Sequence, residues 1–208
     1  IVMRLVGSEM CIRDSSNTVT FDGSSAQSIT SNGSVFHTVT ISNTSAAVSI
    51  ADKFEFATGT LTINSSAIFA LAGNEFDDNG ATITNNGTFQ MNGDETLTTG
   101  ALSIPGNTKI VDASGATLTT GLAGLENVEF NSSSGSSQTF VLSENLTYVS
   151  GNITIASGTV LDASGSNYNI DLDGNWSNSG TFTQRTGTVT FSGSSAQSIS
   201  GTNTFYNL

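Results

Sequence analysis

Four short Thr-x-Thr motifs decide the fold of this chain: TVTF at 18–21, TVTI at 38–41, TLTI at 60–63 and TITN at 82–85. Apolar residues alternate with threonine in these motifs, which is the pattern of a strand with one buried face. Because side chains alternate across a strand, Val19 and Phe21 are predicted to face a core, while Thr18 and Thr20 face solvent. An Asp-Gly pair at 22–23 then indicates a turn.

The spacing of the motifs predicts how the strands are arranged. They begin 20, 22 and 22 residues apart, and further copies begin at Thr96, Thr117, Thr181 and Thr188. A constant period of this length is typical of solenoids, in which one coil cannot bury its own apolar face and must stack on neighbours. The sequence therefore predicts an all-β, right-handed parallel β-helix with coils of about 20–22 residues. An antiparallel β-sandwich is the alternative, because regularly spaced short strands are typical of that fold too.

Longer repeats indicate a second, larger period. The segment TVTFDGSSAQSI at 18–29 returns as TVTFSGSSAQSI at 188–199, with eleven of twelve positions identical. Two more pairs recur at matching distances: GTLTINSSAIFALAG at 59–73 with GNITIASGTVLDASG at 151–165, and NNGTF at 85–89 with NSGTF at 178–182. We expect the parent sequence beyond Leu208 to resemble residues 40–50 as this cycle restarts.

Residues 1–15 share neither the composition nor the repeats of the rest. Within them, LVGSEMCIRDS at 5–15 resembles a translated sequencing adapter, because the codons of a transposase-type adapter spell these residues without a mismatch. A clipped signal peptide is the weaker interpretation, since charged residues interrupt the apolar run that it needs. We interpret residues 1–15 as an adapter-derived artefact outside the fold. Residues 16–208 are then a single β-solenoid fragment of a metagenomic reading frame, open at both ends.

Charge and composition argue against several classes of function. The formal net charge is −12, and beyond residue 15 the basic residues are Lys53, Lys109 and Arg185 alone. This balance repels phosphate backbones and anionic lipids, so we expect no nucleic-acid partner. The 36% of hydrophobic residues, including twelve Phe, are too many for a disordered chain. No apolar run reaches the roughly 20 residues of a membrane span, and the single Cys11 offers no disulfide framework.

Asp171 and Asp173 are the first candidates for catalysis. They alternate along a predicted strand, which places them on one face about 7 Å apart. Glycosidic cleavage uses two carboxylates roughly 5–10 Å apart, and a lyase needs a cation to steady developing charge, for which Lys53, Lys109 and Arg185 are the candidates. We favour the simpler interpretation that Asp171 and Asp173 lie on a solvent-facing strand edge that runs into a turn.

Metal binding has few candidate ligands. Asp77, Asp78 and Asn79 in EFDDNG offer oxygen ligands for Ca²⁺, but the spaced acidic pattern of known calcium loops is missing, so a turn is favoured. His37, the only histidine, is expected to cap or flank a strand, and without a second His or Cys no zinc ligand set exists. We therefore assign no catalytic, cofactor-binding or metal residues and expect no cofactor.

Two surface features suggest binding functions. Outward threonine pairs could match an ice surface, as in threonine-lined antifreeze solenoids, although the array breaks at 96 and after 117; the preference of threonine for exposed strands also explains them. Trp176, Tyr168 and Tyr206, if exposed, could stack on sugar rings, or they could seal the ends of a core.

The segment DGNWSNSGTFTQRTGTVTFSGSSAQSISGTNTFYNL at 172–208 resembles repeat regions of large bacterial surface proteins, the adhesin-like β-solenoids that are similar to filamentous haemagglutinin and pectin-lyase-like β-helices. The resemblance extends in style over residues 16–208 and is specific in the last third. It implies an extracellular or cell-surface setting and a non-enzymatic role as a stalk or adhesin passenger. The implied partners are neighbouring repeats of the parent chain and surface glycans or a host or biofilm matrix, without membrane insertion. The alternatives are a secreted polysaccharide-binding or polysaccharide-degrading β-helix, as a lyase or glycoside hydrolase, and an ice-binding solenoid.

Overall fold

The computed structural model describes residues 18–98, 103–111, 117–118, 122, 124–132 and 137–208. In these ranges the regular structure consists of β-strands, and there is no helix long and apolar enough to cross a membrane. Every strand pairing in these ranges is parallel. The strands stack as a β-solenoid of about eight turns. This confirms the predicted parallel β-helix and excludes the antiparallel sandwich. Residues 1–15, interpreted above as adapter-derived, lie outside the described ranges.

The chain divides into two compact units. Unit 1 comprises the residues up to Met91 with Glu95–Asn107, and unit 2 comprises Asn92–Asp94 with Thr108–Leu208. The strands of unit 1 are β1 (Thr18–Phe21), β2 (Gln27–Ile29), β3 (Val35–Ile41), β4 (Val48–Ile50), β5 (Phe54–Ile63), β6 (Ile68–Ala70), β7 (Phe76–Asp77), β8 (Thr82–Asn85) and β9 (Thr88–Met91). Strand β10 (Ile104–Val111) has residues in both ranges. Unit 2 continues with β11 (Leu125–Asn131), β12 (Gln138–Val141), β13 (Leu146–Val149), β14 (Ile153–Ile155), β15 (Thr159–Asp162), β16 (Ile170–Leu172), β17 (Trp176–Asn178), β18 (Thr181–Thr183), β19 (Val189–Phe191) and β20 (Ile199–Gly201).

The register of unit 1 follows the Thr-x-Thr motifs. Thr18 pairs with Thr38, Thr38 with Thr60, and Thr60 with Thr82. The predicted steps between the motifs are therefore the lengths of successive coils. Strands β1, β3 and β5 form one wall, in which β5 pairs with β7 through its first half and with β8 through its second half. Strands β2, β4, β6 and β9 follow one another in a second sheet.

Phenylalanine rings fill much of the interior of unit 1. The Phe54 ring stacks on Phe36 at 4.4 Å between centroids and meets Phe56 at 5.3 Å, Phe69 at 5.5 Å and Phe76 at 6.2 Å. All five are buried, and such ring pairs add to the stability gained by burying their area. As predicted, Val19 and Phe21 are also buried. In register, Val19 is followed by Val39, Leu61 and Ile83, and Phe21 is followed by Ile41 and Ile63; all of these are buried.

Unit 2 has three walls and less uniform coils. The walls are β11-β14-β17-β20, β12-β15-β18 and β13-β16-β19. The coil that leads from Val128 to its partner Ile153 is clearly longer than the coil that leads from Ile170 to its partner Val189. Coil lengths in unit 2 thus vary more than the sequence predicted, because the strands keep their pairing while the loops between them differ in length.

The core of unit 2 contains Trp176, which excludes sugar stacking for this ring and agrees with the alternative that it packs in a core. Its side chain is fully buried, and its ring lies 4.9 Å from Phe182 and 5.6 Å from Phe205. Trp176 takes the inward position of β17, in register with Ile153 on one side and Ile199 on the other. Of the other two aromatic candidates, Tyr168 is half-buried and Tyr206 is exposed.

Candidate functional site

The most regular outer surface of unit 1 is a wall of paired threonines, termed here the threonine face. It is formed by β1, β8 and the second halves of β3 and β5, and contains one column of Thr18, Thr38, Thr60 and Thr82 and a second of Thr20, Thr40, Thr62 and Thr84. These threonines are exposed or half-buried, while the residues between them are buried. Neighbouring coils are about 4.8 Å apart and the two columns about 6.6 Å apart, as for any paired strands.

A tight corner limits the threonine face on one side. The register of β3 and β5 shifts between Phe36 and Thr38, and Gly59 opposite this shift has a φ of 128°. A Cβ atom on Gly59 would lie 1.9 Å from the His37 carbonyl oxygen, so only glycine fits there. His37 itself lies within β3, with Nδ1 3.0 Å from the Thr38 hydroxyl, rather than at the end of a strand.

The other side of the threonine face is a polar column of Asp22, Ser42, Asn64 and Asn86, the residues that follow the four motifs. Asn64 Nδ2 donates to Ser42 Oγ at 2.8 Å, which links two coils. Within the threonine columns, the described contacts engage the Thr38 hydroxyl through His37 and no other threonine hydroxyl. The columns contain no charged side chain, so the face presents uncharged methyl and hydroxyl groups.

Among the described residues, the lysines and the arginine of both units are paired with carboxylates. In unit 1, Lys53 Nζ lies 3.1 Å from Glu55, 3.2 Å from Glu75 and 3.4 Å from Asp77. Hydrogen bonds with Glu55 and then Glu75 raise the pKa of Lys53. The Thr98 hydroxyl donates to Glu75 at 2.8 Å, and this bond, followed by that of Lys53, lowers the pKa of Glu75. The cluster therefore joins successive coils at the surface.

Unit 2 shows the same use of charge. Lys109 Nζ lies 3.3 Å from Glu129. Arg185 binds Asp162 with two hydrogen bonds, Nε to Oδ1 at 2.9 Å and Nη2 to Oδ2 at 2.6 Å. The Arg185 guanidinium lowers the pKa of Asp162 and outweighs the opposing effect of its burial. Each pair again spans about one coil, so each of the three predicted candidate cations is engaged by carboxylates of its own unit.

Asp171 and Asp173 lie on one face, as predicted. The Ser192 hydroxyl of the next coil lies within hydrogen-bond distance of both carboxylates, 2.9 Å from Asp173 Oδ1, and its single proton is shared between them. Asp171 belongs to β16, and Asp173 follows directly after that strand. The site is open to solvent, since Asp173 and Ser192 are exposed and Asp171 is partly exposed. The serine therefore links two coils through both acids.

The EFDDNG segment forms a turn, which was the favoured prediction. The Asn79 backbone N–H donates to Asp77 Oδ1 at 3.1 Å, and Asn79 has a φ of 43°. Its side-chain amide donates to the carbonyls of Phe56 at 3.0 Å and Ala57 at 3.2 Å, which anchors the turn to the previous coil. The described ranges contain no group of three or more His, Cys, Asp or Glu residues placed to hold a metal.

Two buried asparagines form matching corners that the sequence reasoning missed. Asn85 accepts from the Gly87 N–H at 3.1 Å and donates to the Asn107 carbonyl at 2.9 Å. In unit 2, Asn178 accepts from the Gly180 N–H at 3.0 Å and donates to the Thr202 carbonyl at 3.1 Å. The recurrence of NNGTF and NSGTF was the available signal, but its role depends on carbonyls about one coil away.

An asparagine ladder runs along one edge of unit 2. Asn127 Oδ1 accepts from the Asn152 N–H at 3.0 Å, Asn152 Oδ1 from the Asn175 N–H at 2.8 Å, and Asn175 Oδ1 from the Ser198 N–H at 2.7 Å. Each side chain thus satisfies a backbone donor of the next coil. Like the ion pairs, the ladder stabilises stacking.

Comparison with protein-family models, curated proteins and solved structures finds no significant match to this chain. The candidate site is therefore chosen from geometry. The described lysines and arginine and the buried asparagines bond within or between coils, whereas the threonine face offers uncharged, regularly spaced and largely unengaged hydroxyls. We take the threonine face as the candidate functional site.

Proposed function

We propose that this chain is a non-enzymatic structural segment, a stalk or adhesin passenger, of a large extracellular bacterial surface protein. The observation that carries the proposal is that ion pairs and asparagine side chains bond from coil to coil. A stalk needs this arrangement, because a solenoid is held together by interfaces between neighbouring repeats. An enzyme of this fold would instead direct several charged side chains into one groove.

The contacts of the two units support this distinction. Lys53 joins carboxylates of two coils in unit 1, and Arg185 reaches back one coil to Asp162 in unit 2. The asparagine ladder adds bonds at each step along unit 2. Exposed ion pairs contribute little individually, but their repetition fixes the register of one coil on the next.

The surface setting rests on the resemblance of residues 172–208 to adhesin-like repeats. The proposed partners are neighbouring repeats of the parent chain, with surface glycans or a host or biofilm matrix as secondary partners. A polysaccharide-degrading enzyme is the competing function, with Asp171 and Asp173 as its acids.

A depolymerase screen separates the two functions. The purified chain is incubated with neutral and acidic polysaccharides, and the release of reducing ends is measured beside an Asp171→Ala variant. We expect the original chain and the Asp171→Ala variant to release no more reducing ends than the heat-denatured chain does. The reason is that the described side-chain contact of both acids is with Ser192, and the site is otherwise open to solvent. Turnover that is reproducible and lost in Asp171→Ala would contradict the structural function.

A coil insertion tests the structural function directly. A second copy of residues 38–59 is placed after Gly59, which adds one complete coil in register. Because a stalk is modular, we expect a folded chain, longer by about 4.8 Å in small-angle scattering and no less stable. A matched insertion of residues 38–48, half a coil, should destabilise the chain. Equal loss of folding in both insertions would count against a modular stalk.

A further inference from the structure

The threonine face has the properties of a binding surface beyond its place in a stalk. We propose that it binds ice, through eight threonines arranged as four rows of two. This function goes beyond the structural role proposed above and does not depend on it.

The periodicity of the threonine face selects a periodic ligand. Rows repeat about every 4.8 Å along the stack, and the two columns are about 6.6 Å apart. The threonines of each column are direct register partners from Thr18 to Thr82 and from Thr20 to Thr84. A single small molecule could contact only part of this grid. A solid that repeats in two directions can contact all of it at once, and ice is such a solid.

The chemistry of threonine suits water as the ligand. Each hydroxyl offers one donor and two acceptor positions, and each methyl group leaves apolar surface beside it. The branched Cβ restricts the side chain to few rotamers, and a parallel sheet holds the backbone. Because the groups are ordered before binding, little conformational entropy is lost on contact. Individually weak contacts then act together, as in other multivalent binding.

The absence of charge in the threonine columns argues for an uncharged ligand. The whole chain has a net charge of −12, yet the threonine columns themselves are uncharged. The exposed Asp22 borders the first row, and the described acidic cluster of unit 1 lies in the other half of the same wall, at Glu55 and Asp77. An insoluble neutral glycan is less well matched, because its sugar rings stack on aromatic side chains. The strongly exposed aromatics of the described ranges, Tyr148 and Tyr206, belong to unit 2.

The grid is limited to four rows. After β8, Gly106 and Asn107 contact Asn85, and no Thr-x-Thr motif occurs there. In unit 2, the duplicate motif at 188–191 places Thr190 beside Asp171 instead of another threonine. The proposed ice-binding surface is therefore the four-row grid of unit 1.

Ice-affinity partition of the full chain tests the proposal. Ice is grown slowly on a cold finger, and the protein fraction in the ice is compared with that of a non-binding protein. We expect enrichment in the ice, and about a tenfold loss of recrystallisation inhibition in Thr40→Tyr/Thr62→Tyr, since two of four rows are blocked. The matched control is Thr154→Tyr/Thr190→Tyr on outward strand positions of unit 2, which should behave as the original chain. Circular dichroism confirms that both variants are folded.

The number of rows gives a second, graded measurement. Copying residues 38–59 after Gly59 adds a fifth threonine row, whereas copying residues 153–175 after Asn175 adds a coil to unit 2 without one. Inhibition should strengthen only in the first case. The proposal is overturned if the original chain is excluded from ice. It is also overturned if the Thr40→Tyr/Thr62→Tyr variant is incorporated into ice as strongly as the original chain. Binding to microcrystalline cellulose with the same sensitivity, without binding to ice, would assign the face to a glycan instead.

Discussion

The same motif, TVTF, has different neighbours in the two units. In unit 1 Thr20 is paired with Thr40, so the motif forms the first row of a threonine grid. In unit 2 Thr190 is paired with Asp171, and the following Ser192 bonds Asp171 and Asp173.

The glutamine that follows the motif differs as well. Gln27 accepts a hydrogen bond from the Gly23 N–H, whereas Gln197 donates to the carbonyls of Leu172 and Gly174. The glutamine is one of the eleven residues that the two copies share, so its different bonding comes from the adjacent coils, whereas Ser192 stands at the one differing position, where unit 1 has Asp22. The outer contacts of a coil thus depend on its neighbours as well as on its own sequence. Burial differs too, since Val19 and Val189 are both buried, whereas Ile29 is 5% exposed and Ile199 is 44% exposed.

Replacing a central ring should have the largest effect. Phe54→Ala removes a buried ring that contacts Phe36, Phe56 and Phe69, and we expect a loss of about 3–5 kcal/mol in the free energy of unfolding. Urea denaturation measures it. The control, Tyr206→Ala at an exposed site, should change stability by about 0.5 kcal/mol or less. Similar values for both would show that the phenylalanine cluster does not hold unit 1 together.

The two matching corners should respond alike to a methyl group. A Cβ atom on Gly87 would lie 2.3 Å from the Ala67 carbonyl oxygen, and one on Gly180 would lie 2.3 Å from that of Thr159. We expect Gly87→Ala and Gly180→Ala each to cost about 1–3 kcal/mol, because backbone must move. Gly165, whose added Cβ meets no atom within 4 Å, provides the control Gly165→Ala. If either corner variant were as stable as this control, the two corners would not be equivalent.

The sequence predicts those features that follow from the repeat period, and it predicts less well those that depend on contacts between residues far apart in the chain. The register of Thr18, Thr38 and Thr60 could be predicted, because a solenoid places equivalent residues one period apart. The two alternatives for Trp176 could not be separated from the residue type alone, and its strand decides between them by placing the ring inward in register with Ile153 and Ile199.

The corners and ion pairs could not be predicted from local sequence. Asn85 bonds a carbonyl 22 residues away, and Asp162 bonds a guanidinium 23 residues away. Such contacts require the exact length of each intervening loop, and the coils of unit 2 differ in length. The threonine pairs were recognised as a possible ice-binding array, but their break at 96 hid that four rows remain in register.

Acid should weaken the coil-to-coil ion pairs, with a smaller effect than the core or corner changes. Arg185 lowers the pKa of Asp162 below its ordinary value of 3.8. Stability from this pair is therefore present above pH 3.8 and is lost as the pH falls through the lower, folded-state pKa. In thermal melts, Asp162→Asn should lose less stability than the original chain on acidification through this window. An identical loss in both proteins would mean that Asp162 is not coupled to folding.

The register of the threonine face is the central claim, and spin labelling tests it most directly. In a Cys11→Ser background, nitroxides are attached at Thr40→Cys and Thr62→Cys, whose backbones should be about 4.8 Å apart. The matched pair is Thr40→Cys with Thr58→Cys, about 13 Å further along the strand of Thr62. We predict strong dipolar broadening of the electron paramagnetic resonance spectrum for 40 with 62 and much weaker broadening for 40 with 58. Equal broadening in both pairs, or the reverse order, would contradict the stacked register and the threonine grid built on it.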